Sequence, residues 1–221
     1  MKIIFVRHGE PDYTNDSLTP LGHLQAKAAA QRLSDESIQG VYSSSCGRAV
    51  QTAGYIADVH NMQVEQCRFM REMSWDFVDG KPINPWAVAQ EMVRNGQDIL
   101  SKSWDEEEPF GGTIIASQVK RIGADFDCWL ANFGYKREGN FYRVCENNSD
   151  NVVMVSHGGS SSAVMSHIFN LPFPFVCSTM GPDFTGITVV VLHGKNGTLI
   201  SPKFEIMKDA RHIAGIVAQN E

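Results

Sequence analysis

The sequence predicts an α/β fold, and three observations carry that expectation. Short apolar runs rich in β-formers alternate with segments whose apolar residues recur every three or four positions. Two of the runs, Lys2–Val6 and Asn151–Ser156, lead straight into a His-Gly step. Two helical patterns then stand back to back at roughly residues 85–133 and interrupt the alternation, which reads as an inserted helical lid at about 80–135. At 221 residues the chain suits one domain, 1–221, carrying that insertion.

The first run, Ile3-Ile4-Phe5-Val6, is too short for a helix and is expected to be a buried strand. Groups just past the C-terminal end of such a strand face the ligand crevice of an α/β sheet. Here those groups are Arg7, His8 and Gly9. An Arg fork suits phosphate oxygens, a neutral imidazole nitrogen can attack phosphorus, and Gly lets the backbone come close. After a polar loop over 10–19, Thr19-Pro20 reads as an N-cap and first-turn proline. Leu21, Leu24 and Ala28 are then expected on the apolar face of a helix reaching Leu33.

Gly40–Ser43 is expected as a second strand, followed by a turn of small residues and a helix with Ala49, Ala53, Ile56 and Ala57 on one face. Arg48 lies in the first turn of that helix, where a cation opposes the positive end of the dipole. An anion bound at the helix start would resolve the conflict. A third strand is expected near Gln63–Cys67. Beyond it, Glu72 and Asp76 stand among large apolar groups, which can raise a carboxyl pKa and make it a proton donor; a solvated loop acid is the alternative.

Asn84-Pro85 opens a helix with Trp86, Ala89 and Val93 on one side, and Asp105–Pro109 is an acidic connection. Ile115, Val119, Ile122, Phe126, Trp129, Leu130 and Phe133 give the strongest helical pattern in the chain and read as core. The stretch 135–150 is polar, with an edge strand at Phe141–Val144. Asn151–Ser156 is a buried strand, and Val164, Ile168 and Leu171 mark the helix after it. His157 therefore sits at a helix start, where free N–H groups can meet an anion. Thr185–Leu192 and Thr198–Ile206 are expected as the last strands, with a polar, partly exposed tail over 207–221.

Composition narrows the function. Hydrophobic content of 43% and charged content of 20% are ordinary for a globular protein. A net charge of −6 argues against an extended nucleic-acid surface. No run of about 18 apolar residues and no signal-peptide pattern is present, so neither a membrane partner nor secretion is expected and the location reads as cytoplasmic. The five cysteines lack a CxxC pair, which fits reduced thiols without disulfides or a zinc site. The oligomeric state is not legible.

Four segments together resemble the histidine phosphatase superfamily, also called the phosphoglycerate-mutase-like family. They are Arg7-His8-Gly9, the run from Tyr42 to Ala53 containing Arg48, Arg71-Glu72, and Ser156-His157-Gly158; Leu18–Ala26 resembles that family's first helix. The resemblance implies a three-layer α/β/α fold with a mixed, mainly parallel central sheet. It implies that His8 is the nucleophile that becomes phosphohistidine, and that Arg7, Arg48 and a protonated His157 bind the phosphoryl oxygens. It makes Glu72 the acid that protonates the leaving oxygen and later activates water, with Glu10 and Asp76 as rival carboxylates. Asn15 is expected as a further phosphate contact. Neither metal nor cofactor is required, because Arg and His supply the charge.

The resulting expectation is a metal-independent hydrolase acting on a small phosphorylated metabolite, a phosphate monoester, through phosphohistidine on His8. A phosphoglycerate-type mutase and a non-catalytic phospho-ligand binder are the alternatives. The 85–133 region lacks the long charged, substrate-clamping segments expected of a dedicated mutase, which favours the phosphatase. Retention of Arg7, His8, Arg48 and His157 together argues against the binder.

Overall fold

The structure, a computed structural model, describes residues 1–74, 77, 78, 81, 82 and 84–217. Trp75 and Asp76, the latter a rival acid, lie outside the described residues.

In chain order the main elements begin with β1 (Lys2–Arg7), α1 (Pro20–Leu33), β2 (Gly40–Ser43), α2 (Gly47–Val59) and β3 (Val64–Gln66). Next come α3 (Pro85–Arg94), α4 (Ile114–Ala131), β4 (Tyr135–Glu138), β5 (Phe141–Val144), β6 (Asn151–Ser156), α5 (Gly158–Phe169) and α6 (Phe173–Met180). The chain finishes with β7 (Ile187–Val191), β8 (Leu199–Ile200), β9 (Lys203–Asp209) and a short terminal helix, Ala214–Val217. The central sheet has the order β9-β7-β1-β6-β2-β3. Strands β1, β6, β2 and β3 pair in parallel, while β7 is antiparallel to both β1 and β9. This is the mixed, mainly parallel sheet that the sequence implies.

Successive side chains of a strand point to opposite faces, so each buried strand feeds two cores. Ile4, Val6, Val41, Val153 and Val155 pack under α1 and α2 with Ala30, Leu33, Ala53 and Ile56. Ile3, Phe5, Val152 and Met154 pack on the other face with Ile115, Ile122, Phe126, Val164 and Ile168 of α4 and α5. The result is a three-layer α/β/α arrangement.

Register brings the two His-Gly steps together. The β1–β6 pairing runs from Lys2 opposite Asn151 to Arg7 opposite Ser156. The next residues, His8 and His157, therefore leave adjacent parallel strands side by side. Ser43 lies opposite Val155 on the far side of β6, which delivers Ser44 to the same edge.

Several details depart from the sequence expectations. Leu24 is exposed, and Gly22, Gln25, Ala26 and Ala29 form the buried side of α1 instead, because small residues let this helix lie close to α2. Val93 is likewise exposed. Leu171 does not continue α5: Asn170 adopts a left-handed conformation that ends the helix, and α6 starts at Phe173. The expected final strand is split. Leu199–Ile200 joins β5 and β4 in a separate three-stranded sheet, and only Lys203–Asp209 reaches the central sheet. The tail is less free than its polarity suggests, since Ile213 is buried. Among the described residues no helix is long and apolar enough to cross a membrane.

Candidate active site

The site lies at the C-terminal edge of β1, β6 and β2, where the strands hand over to α2 and α5. His8 is almost fully buried. Its backbone N–H donates to the Ser156 carbonyl at 2.9 Å. Its Nδ1 lies 2.7 Å from the Gly9 carbonyl oxygen. A carbonyl only accepts, so Nδ1 carries the proton and Nε2 carries the lone pair. Arg48 Nε, a donor, points at that lone pair from 3.3 Å. Burial first, and then the positive charges of Arg7 and Arg48, lower the His8 pKa to about 3. The imidazole is thus neutral at physiological pH with its lone pair at Nε2.

Close backbone contact sets this geometry. A Cβ at Gly9 would stand 2.5 Å from the Gly22 carbonyl oxygen, and a Cβ at Gly22 would stand 2.1 Å from that of Glu10. Only two glycines let the loop after β1 lie on the first turn of α1. Thr52 links this loop to α2: its hydroxyl accepts from Gly9 N at 3.1 Å and donates to the Arg48 carbonyl at 2.8 Å.

Arg48 is the hub. Its Nη2 donates to His157 Nδ1 at 3.1 Å, and its Nη1 pairs with Asp16 Oδ1 at 2.5 Å. The sequence calls for an anion at the start of α2, and the chain supplies one itself. The second Asp16 oxygen accepts from Gly47 N at 2.8 Å, where the N-cap residue Cys46 makes no side-chain cap. Although burial pushes the other way, Gly47 N–H and Arg48 hold the Asp16 carboxyl below the ordinary carboxylate range.

His157 is fully buried and lies with its ring 5.0 Å from that of His8. Its Nδ1 accepts from Arg48, so Nε2 carries the proton and donates to Ser44 Oγ at 2.7 Å. Burial, then His8, Arg48, Arg7 and Arg71, lower its pKa to about 2. The protonated form expected from the sequence is therefore not the form this geometry holds, because the imidazole is dry and surrounded by cations.

Arg7 stacks on Phe184 with its guanidinium carbon 4.2 Å from the ring centre, and its Nη1 donates to the Pro182 carbonyl at 2.8 Å. Arg7 Nε and Ser162 Oγ are both buried without a protein partner, and both residues line a recess of about 20 Å³. That volume is room for one water.

Glu72 accepts from the backbone N–H groups of Gly159 and Ser160 at the start of α5, at 3.4 and 3.2 Å, and from Met73 N at 2.9 Å. Burial lifts its carboxyl above the ordinary range, against the pull of those N–H groups and Arg7. The rival Glu10 turns away: its Oε1 accepts from Thr19 Oγ at 2.8 Å beside the start of α1.

Of the residues singled out in the sequence, Arg7, His8, Arg48, His157 and Glu72 come together. Asn15 does not join them. It is exposed and its amide donates to Asp12 Oδ2 at 2.7 Å, closing a local turn. Sequence reasoning missed Asp16, Ser44 and Phe184. A serine run directly after a strand was a usable sign for Ser44; Asp16 sits in a polar loop that gives no such sign. Helix α3 reaches the site through Trp86, since a Cβ on Gly158 would stand 2.9 Å from its ring and 3.8 Å from the Arg7 guanidinium carbon.

Chemically, the arrangement offers an imidazole lone pair, two guanidinium groups and a carboxyl with raised proton affinity. That set suits transfer of a tetrahedral oxyanion group to nitrogen.

Comparison with known proteins gives the family. A sequence model of the histidine phosphatase superfamily (branch 1) matches residues 3–203. The protein named "Putative phosphoserine phosphatase 2" of Hydrogenobacter thermophilus is 24% identical over 208 residues, 90% of this chain and 93% of its own length. The "Probable phosphoglycerate mutase GpmB" of Yersinia enterocolitica is 29% identical over 182 residues, 78% of this chain and 76% of its own. Among solved structures, phosphoserine phosphatase from Entamoeba histolytica in complex with 3-phosphoglyceric acid shares the fold. Its TM-score is 0.64 at 24% identity, over 96% of this chain and 98% of that one.

Proposed function

The chain belongs to the histidine phosphatase superfamily, branch 1, and on that footing we propose that it hydrolyses a small phosphate monoester through a phosphohistidine on His8, without a metal. The observation that carries this reading is the fixed tautomer of His8, with Nδ1–H on the Gly9 carbonyl and the lone pair at Nε2. Nε2 attacks phosphorus while the ester oxygen leaves from the opposite side. Arg7 and Arg48 hold the non-bridging oxygens and stabilise charge that develops on the phosphoryl group. His157 stands beside them and keeps Arg48 in place through Nδ1.

Glu72 takes the acid role, because burial favours its protonated form. It gives its proton to the leaving oxygen. The resulting carboxylate then takes a proton from the water that attacks phosphohistidine, releasing inorganic phosphate and restoring His8. Each turnover consumes one monoester and one water and yields one alcohol and one phosphate.

The test is release of nitrophenol from p-nitrophenyl phosphate in EDTA, beside a His8→Ala variant. Turnover that survives EDTA and is lost in the variant supports the reading. Turnover that EDTA abolishes, or that His8→Ala retains, rejects it.

A further inference from the structure

We infer that His212, in the tail after β9, is a positioning residue that acts through Thr185 on the backbone of Arg7 and His8; this rests on the phosphatase reading above.

Strand pairing brings the parts together. Ile187 of β7 lies opposite Val6 of β1 on one side and opposite Asp209 of β9 on the other. The residues just before β7 and just after β9 therefore meet beside the end of β1. Before β7, the Asp183 carbonyl accepts from Gly186 N at 2.9 Å and closes a turn. Thr185 N in that turn donates to the Arg7 carbonyl at 3.0 Å and lies 3.4 Å from the His8 carbonyl. The Gly186 carbonyl accepts from Arg7 N at 3.4 Å. The turn thus holds both backbone groups of Arg7, and its Phe184 ring lies 5.8 Å from that of His8. After β9, Asp209 accepts from Arg211 N at 3.2 Å and starts a helical turn over Arg211–Ile213, which buried Ile213 anchors. That turn brings His212 Nε2 to 3.1 Å from Thr185 Oγ1.

Two features mark this contact as built for a purpose. Thr185 is fully buried with φ 51°. A β-branched residue is strained in the left-handed region and stays there only when its surroundings hold it. Glycine would adopt this φ freely but would bring no hydroxyl for His212 to hold. The second feature is His212 Nδ1, which is buried without a partner among the described residues. An apolar side chain would pack the tail without burying a bare polar atom. What the imidazole adds is its Nε2 contact with Thr185. Strain at one residue and an unpaired atom on the next fall on a single chain of contacts, and that chain ends at Arg7 and His8. Misplacing a reacting group by about 1 Å can slow a reaction about 10²-fold.

The test compares wild type with His212→Leu, His212→Gln, Thr185→Val and the double variant His212→Leu, Thr185→Val. It reads kcat and KM on p-nitrophenyl phosphate, ring-nitrogen NMR of His8, and Tm. Leucine keeps bulk without the nitrogen, glutamine offers an amide at the reach of Nε2, and valine keeps the branched shape without the hydroxyl. His212→Leu and Thr185→Val are each expected to lower kcat on the order of 10–100-fold, with KM changed less. The double variant should lose no more than either single one, because both break the same contact. His212→Gln should return to within a few-fold of wild type, and the His8 signals should shift in His212→Leu and recover in His212→Gln. Wild-type kcat in His212→Leu or Thr185→Val, equal losses in the two His212 variants, or a double loss equal to the product of the singles overturns the role of His212. Should Tm show His212→Leu unfolded, Thr185→Val decides on the same terms. Absence of turnover in wild type would instead count against the phosphatase reading. The NMR readout then still applies, and His8 signals unchanged by His212→Leu overturn the positioning role.

Discussion

Arg48 Nε stands 3.3 Å from His8 Nε2 while Arg48 Nη2 stands 3.1 Å from His157 Nδ1. One guanidinium therefore marks the lone pairs of two buried imidazoles that belong to different strands. The contact fixes both tautomers at once and places a permanent cation where a phosphoryl group would meet the nucleophile.

Replacing Arg48 by Lys keeps the charge and loses the planar fork. Steady-state kinetics on p-nitrophenyl phosphate should show kcat/KM reduced on the order of 10²–10³-fold, as when one preorganised oxyanion donor is removed. Activity within a few-fold of wild type would mean that charge alone suffices there.

Glu72→Gln separates the acid role from simple placement. Nitrophenolate leaves without a proton, whereas an alkoxide does not. The variant should lose on the order of 10²–10⁴-fold on an alkyl phosphate such as glycerol phosphate. The first half-reaction on p-nitrophenyl phosphate should suffer less, and phosphoenzyme should accumulate because water activation is also impaired. Equal losses in that step for both substrates would argue against proton donation by Glu72.

Both histidines shape stability against pH. Their folded pKa values, about 3 for His8 and about 2 for His157, lie below the unfolded value near 6.5. Between those limits the unfolded chain binds protons that the folded chain does not, so stability falls as pH drops from about 6.5 toward 3 and is flat for these groups above it. The contribution approaches about 1.4 kcal/mol per pH unit for each histidine. Urea unfolding at a series of pH values should give a shallower acid slope for His157→Gln than for wild type. An identical slope would show that the imidazole titrates normally in the fold.

The recess behind Arg7 should hold one ordered water between Arg7 Nε and Ser162 Oγ, visible by high-resolution diffraction. Two buried polar atoms without partners cost about 1–3 kcal/mol each, and one water satisfies both. Ser162→Ala removes one of that water's partners and should raise KM several-fold with little change in kcat. A dry recess, or an unchanged KM, would show that Arg7 is held by Phe184 and Pro182 alone.

The sequence made much of this visible. Strand ends followed by His-Gly are a local signal, and parallel register does the rest by placing His8 beside His157. Arg48 was legible because a cation in the first turn of a helix opposes the dipole, and the structure shows the conflict resolved by Asp16. Asp16 was not legible, since its partner lies 32 residues away and no periodicity links a loop to a helix start. Asn15 came from the family resemblance, but an amide beside Asp12 closes a local turn before it can reach a distant site. The break between α5 and α6 was hidden because Leu171 keeps the helical spacing, while Asn170 turns the backbone left-handed at φ 55°. The division of the last strand depends on which sheet offers a partner, and that is decided by tertiary pairing.

The most direct measurement is chemical. Enzyme mixed with a phosphate-labelled monoester and quenched in alkali within one turnover should carry phosphate that is stable to base and lost in acid. Peptide mapping should place it on His8, and His8→Asn should carry none. Label that is absent from His8 under conditions of demonstrated turnover, or found on another residue, would contradict a phosphohistidine route through this imidazole.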